Sequence, residues 1–112
     1  MKQRAMRVAE AIKEEIGNLL LYEIKDPRIA FCSVTDVEVS GDLSKATVYV
    51  SIMGSEEERT QSMLGLESCK GVLRRAIGQR LKLRQTPELS IVLDNSIAKG
   101  ARLLELMKKE LP

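Results

Sequence analysis

The chain contains no histidine and no tryptophan, and Tyr22, Phe31 and Tyr49 are its only aromatic residues. Without histidine it lacks the side chain that most often serves as general acid or base near neutral pH, and the commonest neutral metal ligand. No Gly-x-x-x-x-Gly-Lys-Ser/Thr phosphate loop and no Gly-x-Ser-x-Gly nucleophile elbow occurs, and the acidic residues show no metal-ligand spacing. A catalytic residue, a metal site, a cofactor and a small-molecule substrate are therefore not expected. So few aromatics make a poor platform for base stacking; Tyr22 and Phe31 are expected to pack in the core or at an interface. Cys32 and Cys69 stand alone in apolar surroundings and are expected to be small packing residues rather than a disulfide or a reactive thiol. Apolar runs are a handful of residues long, far short of a membrane span, and the first residues are charged. The chain is expected to remain in the cytoplasm, without membrane contact.

The sequence does hold a marked charge asymmetry. Its 112 residues are expected to form one domain, 1–112, long enough to bury roughly two-thirds of the unfolded surface. The net charge is only +2. Yet Lys70–Arg84 carries Lys70, Arg74, Arg75, Arg80, Lys82 and Arg84 with no acid among them. The stretch before it, Ile29–Cys69, holds Lys45 and Arg59 against Asp36, Glu38, Asp42, Glu56, Glu57, Glu58 and Glu67. A concentrated basic segment attracts a polyanion, because each neutralised phosphate releases condensed counterions.

Hydrophobic periodicity orders the elements. Ala5, Val8, Ile12, Ile16, Leu19 and Leu20 form one face of a helix from Lys2 to about Glu23, ended by Asp26-Pro27. Lys2, Arg4 and Arg7 in its first turns oppose the helix dipole, so they are candidates for binding as well as for a solvated tip. Ser33–Ser40 alternates with one irregularity, Gly41–Ser44 is a turn, and Ala46–Met53 places Ala46, Val48, Val50 and Ile52 on one side. Together they predict an antiparallel hairpin with one buried face. Ser55 and Glu58 match a capping box, and Leu66, Cys69, Leu73, Ala76 and Ile77 form the stripe of the helix that follows. Lys70 and Arg74 are expected on its opposite side, and Gly78 is expected to break the helix so that the bases gather round a bend. Arg80–Arg84 fits a short helix or an alternating strand equally well. Thr86-Pro87 is a break, Glu88–Asp94 a third strand, and Ile97, Gly100, Leu103, Leu104, Met107 and Leu111 one side of a last helix.

This order predicts an α+β fold, a three-stranded sheet packed by helices, and resembles the type II KH domain. KH domains grip about four nucleotides with a Gly-x-x-Gly loop between two helices. No Gly-x-x-Gly occurs here; Ala76-Ile77-Gly78 stands at the expected junction. An Ala-x-Gly interhelical kink in place of that loop marks the bacterial ribosome-binding factor A family, which the chain resembles over nearly its whole length. Asp26-Pro27-Arg28, the hairpin Val37–Ala46, Arg80-Leu81 through Thr86–Leu89, and Asp94-Asn95-Ser96-Ile97 with Gly100 are similar to that family in the same order. The chain ends at Pro112, without the longer tail of some members.

The resemblance implies a non-catalytic, monomeric factor that binds free small ribosomal subunits through their rRNA. It also implies a part in late subunit maturation, rRNA processing and growth at low temperature. Lys70, Arg74, Arg75, Arg80, Lys82 and Arg84 around the kink, joined by Lys2, Arg4 and Arg7, are the residues expected to meet phosphates. The rival is a protein-interaction module docking through its C-terminal helix, with Lys99, Arg102, Glu105, Lys108 and Lys109 outside. Duplex DNA lacks support, since no helix-turn-helix spacing accompanies the basic stretch.

Overall fold

The computed structural model describes residues 2–29 and 32–94; the expected last helix and Phe31 lie outside them. Helix α1 spans Lys2–Asn18 and widens into a π-helical turn over Leu19–Glu23, where Ile24 N donates to Leu19 O at 2.8 Å. Ala5, Ala9, Ile12, Ile16 and Leu19 are buried at helical spacing. The first element thus ends where the sequence placed it, just ahead of Asp26-Pro27.

Strands β1 (Cys32–Val39), β2 (Lys45–Ile52) and β3 (Glu88–Leu93) form one sheet in the order β1-β2-β3. β1 and β2 are antiparallel, with Val37 opposite Val48 and Val39 opposite Ala46. β3 lies parallel to β2, with Ala46 beside Leu89 and Val50 beside Leu93. The irregularity in the first strand is a β-bulge: Val34 faces Val50 and Asp36 faces Tyr49, leaving Thr35 as the extra residue. Thr35 Oγ1 donates to Asp94 Oδ2 at 2.7 Å, tying the bulge to the end of β3.

Both helices cover the same face of the sheet. α1 lies over β1, while α2 (Glu56–Arg80) reaches β3. Between them and the sheet, Ile12, Ile16, Val48, Val50, Leu66, Leu73, Ile77 and Leu89 are almost fully buried. Each such side chain contributes about 1.5–3 kcal/mol relative to exposure. The capping box that starts α2 is complete: Glu58 N donates to Ser55 Oγ at 3.1 Å, and Ser55 N donates to Glu58 Oε1 at 3.2 Å.

Two small residues on α2 receive the loop that follows α1. Ser62 Oγ donates to Arg28 O at 3.0 Å. At Gly65 a methyl would meet Ile29 Cγ1 at 2.8 Å, so only glycine admits the loop this closely. Arg28 turns back and donates to both carboxylate oxygens of Asp26, at 3.1 and 2.7 Å. That arrangement, with a further bond from Arg28 N, lowers the Asp26 carboxyl to about 2.

The expected break at Ala76-Ile77-Gly78 is corrected. α2 is one uninterrupted helix that ends at Arg80, two residues beyond Gly78. Gly78 is not left-handed; its role is to clear space. A methyl there would lie inside van der Waals contact of Thr86 Oγ1. The burial of Leu73 and Ile77 in the turns just before it outweighs the roughly 1 kcal/mol that a helical glycine costs. No second helix follows among the described residues. Arg80–Arg84 is neither the short helix nor the strand of the sequence reading, but the end of α2 and a turn.

Candidate nucleic-acid interface

The basic segment falls on the last turns of α2 and on the loop that joins it to β3. Leu81 N donates to Ile77 O at 2.9 Å, and Leu83 N reaches back to Gly78 O at 3.3 Å. Between them Lys82 adopts a left-handed backbone, φ 50. This is the Schellman arrangement that ends a helix, and the left-handed position normally belongs to glycine. Leu83 is half-buried against the core, the apolar contact that often accompanies such a cap. A lysine there costs about 1 kcal/mol relative to glycine and projects its charge beyond the helix end, where a cation also suits the dipole.

The cations of the segment divide into two groups. Lys70 pairs with Glu67 at 3.0 Å, one helical turn away. Arg74 is not on the side opposite the core stripe; it is turned toward the segment leading into β3, with Nε donating to Pro87 O at 3.2 Å and Nη2 to Thr86 O at 2.9 Å. It ties α2 to that segment. Arg80 bridges α2 to the first element, pairing with Glu15 at 3.3 Å and, more closely, with Glu23. Both carboxylates raise its already high pKa, Glu23 more than Glu15. Two acids around one guanidinium leave no surplus positive charge at that point.

Arg75, Lys82 and Arg84 form the second group. All three are exposed. Arg75 stands on the solvent side of α2, and Lys82 and Arg84 lie just past its end. The pairing of Arg80 with Glu15 also locates Arg4 and Arg7: these exposed residues lie two to three turns back along α1, so Arg4 is about 16 Å from Glu15 along the axis. Arg4 and Arg7 form an exposed basic tip on α1, which also contains the backbone of Lys2. Tyr22 is 74% exposed, so it is not a core residue. Tyr49 lies on the sheet face away from the helices, with its hydroxyl donating to Glu38 Oε2 at 3.2 Å.

That open sheet face is acidic, with Asp36 and Glu38 on β1, Glu88 on β3, and Lys45 on β2 as its lysine. A polyanion is repelled there and attracted at the end of α2. Among the described residues no group of three or more side chains could hold a metal ion, and no helix is long and apolar enough to cross a membrane. The Cys32 thiol, half-buried, is pushed up to about 11 by desolvation, so at neutral pH it stays protonated.

Among the described residues, two helices pack on one face of an antiparallel-plus-parallel three-stranded sheet, the α+β architecture of a type II KH-like domain, with a basic helix end and without the Gly-x-x-Gly loop. Residues 4–107 match the family model of ribosome-binding factor A. Ribosome-binding factor A of Halothermothrix orenii is 52% identical over 108 residues, covering 96% of this chain and 88% of that protein. The crystal structure of the Thermus thermophilus factor is similar with a TM-score of 0.64 at 26% identity, over 86% of this chain and 98% of that one. A homology model of the Thermus thermophilus factor fitted into the cryo-EM map of a 30S complex gives 0.62 at 25% identity, over 86% and 97%. The chain belongs to the ribosome-binding factor A family.

Proposed function

We propose that this protein binds the free small ribosomal subunit through rRNA phosphates at the end of α2, and that it assists late subunit maturation and rRNA processing as a non-catalytic, monomeric, cytoplasmic factor. Family membership and the 30S complex of the Thermus thermophilus relative support the choice of partner. The observation that carries the contact surface is Lys82, held left-handed at a position where glycine would be more stable, beside exposed Arg75 and Arg84. Strained residues retained against stability point to a use.

Without a Gly-x-x-Gly the backbone has no glycine loop for an RNA strand to approach, so contact falls to side chains that reach phosphate and sugar. Such contact reads shape more than sequence. Arg74 and Arg80 act behind it, holding α2 to its neighbours, and Lys70 pairs with Glu67 within α2, while Arg75, Lys82 and Arg84 face outward. Co-sedimentation with separated small and large subunits tests the reading. Pelleting with small subunits, weakening steeply as salt rises, is expected. Equal binding to large subunits would refute the choice of partner, and a salt-independent complex would favour docking on a protein.

A further inference from the structure

Among the described residues, Tyr22 is the most exposed large hydrophobic side chain, and the π-helical turn Leu19–Glu23 is what holds it out. The buried stripe of α1 runs through Ala9, Ile12, Ile16 and Leu19. In an unbroken α-helix the next position of that stripe would be Glu23. The extra residue of the π turn moves it to Ile24, which is half-buried against the core. Glu23 is thereby freed to pair with Arg80, and Tyr22 is left in solvent. Such turns are rare and recur at functional sites.

The same turn sets where Tyr22 stands. Arg80, the partner of its neighbour Glu23, precedes exposed Lys82 by two residues and exposed Arg84 by four. Tyr22 and the outward cations at the end of α2 thus flank one ion pair. Exposed Lys25 adds a cation three residues after Tyr22. Tyr49 is placed differently, on the acidic sheet face with its hydroxyl on Glu38, where a polyanion is repelled. One tyrosine is no platform for a run of bases, but it suffices for one, since every base has a π-face.

We propose that Tyr22 stacks on a single unpaired base of the rRNA strand whose phosphates Arg75, Lys82 and Arg84 hold. This rests on the reading of the α2 end as a phosphate site. Small-subunit co-sedimentation over a range of salt concentrations compares the parent with Tyr22→Phe, Tyr22→Leu and Tyr22→Ala. Tyr22→Phe should bind as the parent does. Tyr22→Leu and Tyr22→Ala should each bind about tenfold more weakly, with the parent's salt slope, because no phosphate contact is lost. All three should melt as the parent does, since the side chain is exposed. In a second measurement Tyr22→Trp supplies the chain's single tryptophan. Protein-free small-subunit rRNA should quench its emission and leave that of a Tyr49→Trp chain unchanged. If the parent binds with a steep salt slope and Tyr22→Leu binds as tightly, the stacking alone is overturned; equal quenching of the two tryptophans would overturn it as well. A parent without salt-dependent binding would instead refute the phosphate site, and the stacking with it.

Discussion

At Gly78 the missing side chain matters more than backbone freedom. The residue is helical, so alanine should help the helix by about 1 kcal/mol, yet its methyl would overlap Thr86 Oγ1. Overpacking of this kind costs about 1–3 kcal/mol, so Gly78→Ala is expected to lower the melting temperature. Adding Thr86→Ala removes the obstructing hydroxyl and should recover stability, a coupling visible in a double-mutant cycle. Two single effects that merely add would disprove the contact. Lys82 offers the opposite sign. Lys82→Gly relieves a left-handed side chain and should stabilise the fold by about 1 kcal/mol while weakening small-subunit binding. A change that stabilises and leaves binding intact would remove Lys82 from the interface.

Among the elements, α2 is held by different means along its length, and these were not equally visible in the sequence. Its start was legible because Ser55 and Glu58 cap it locally, three residues apart. The hairpin was legible from alternation, and even its bulge showed as an irregularity in the first strand, which the structure places at Thr35. The end of α2 was not. Its cap uses Lys82 where a reader looks for glycine, and Gly78, which does look like a breaker, answers to Thr86 in a later segment. The roles of Arg74 and Arg80 were hidden for the same reason: their partners are Pro87 O, Glu15 and Glu23, none of them local in sequence. Charge counting finds a basic segment but does not tell a clamp from a contact.

The loop docked on Ser62 and Gly65 carries a pH signature. Arg28 holds Asp26 well below the usual carboxylate range, at about 2. A depressed folded pKa means the contribution is complete above the unfolded value and is lost as pH falls from about 4 toward 2. Acid melts of Asp26→Asn should therefore show a shallower loss of stability in that window than the parent. Asp42, also lowered to about 2 by Ser40 and Ser44, should keep part of the slope. An identical acid limb in both proteins would mean that the Asp26–Arg28 pair forms equally in the unfolded chain.

For the whole molecule, the fold separates charge. An acidic sheet face lies on one side, helices cover the other, and three outward cations gather at one helix end. The central claim is that Arg75, Lys82 and Arg84 meet phosphate while Arg80 only braces the fold. The most direct measurement is small-subunit co-sedimentation over a range of salt concentrations. It compares the parent with Arg75→Ala/Lys82→Ala/Arg84→Ala and with Arg80→Ala. Every phosphate that is no longer neutralised should flatten the plot of log affinity against log salt by roughly 0.7–0.9, so the slope of the triple variant should be shallower by about two or more. Arg80→Ala should keep the parent slope. An unaltered slope in the triple variant, or an equal flattening from Arg80→Ala, would contradict the account.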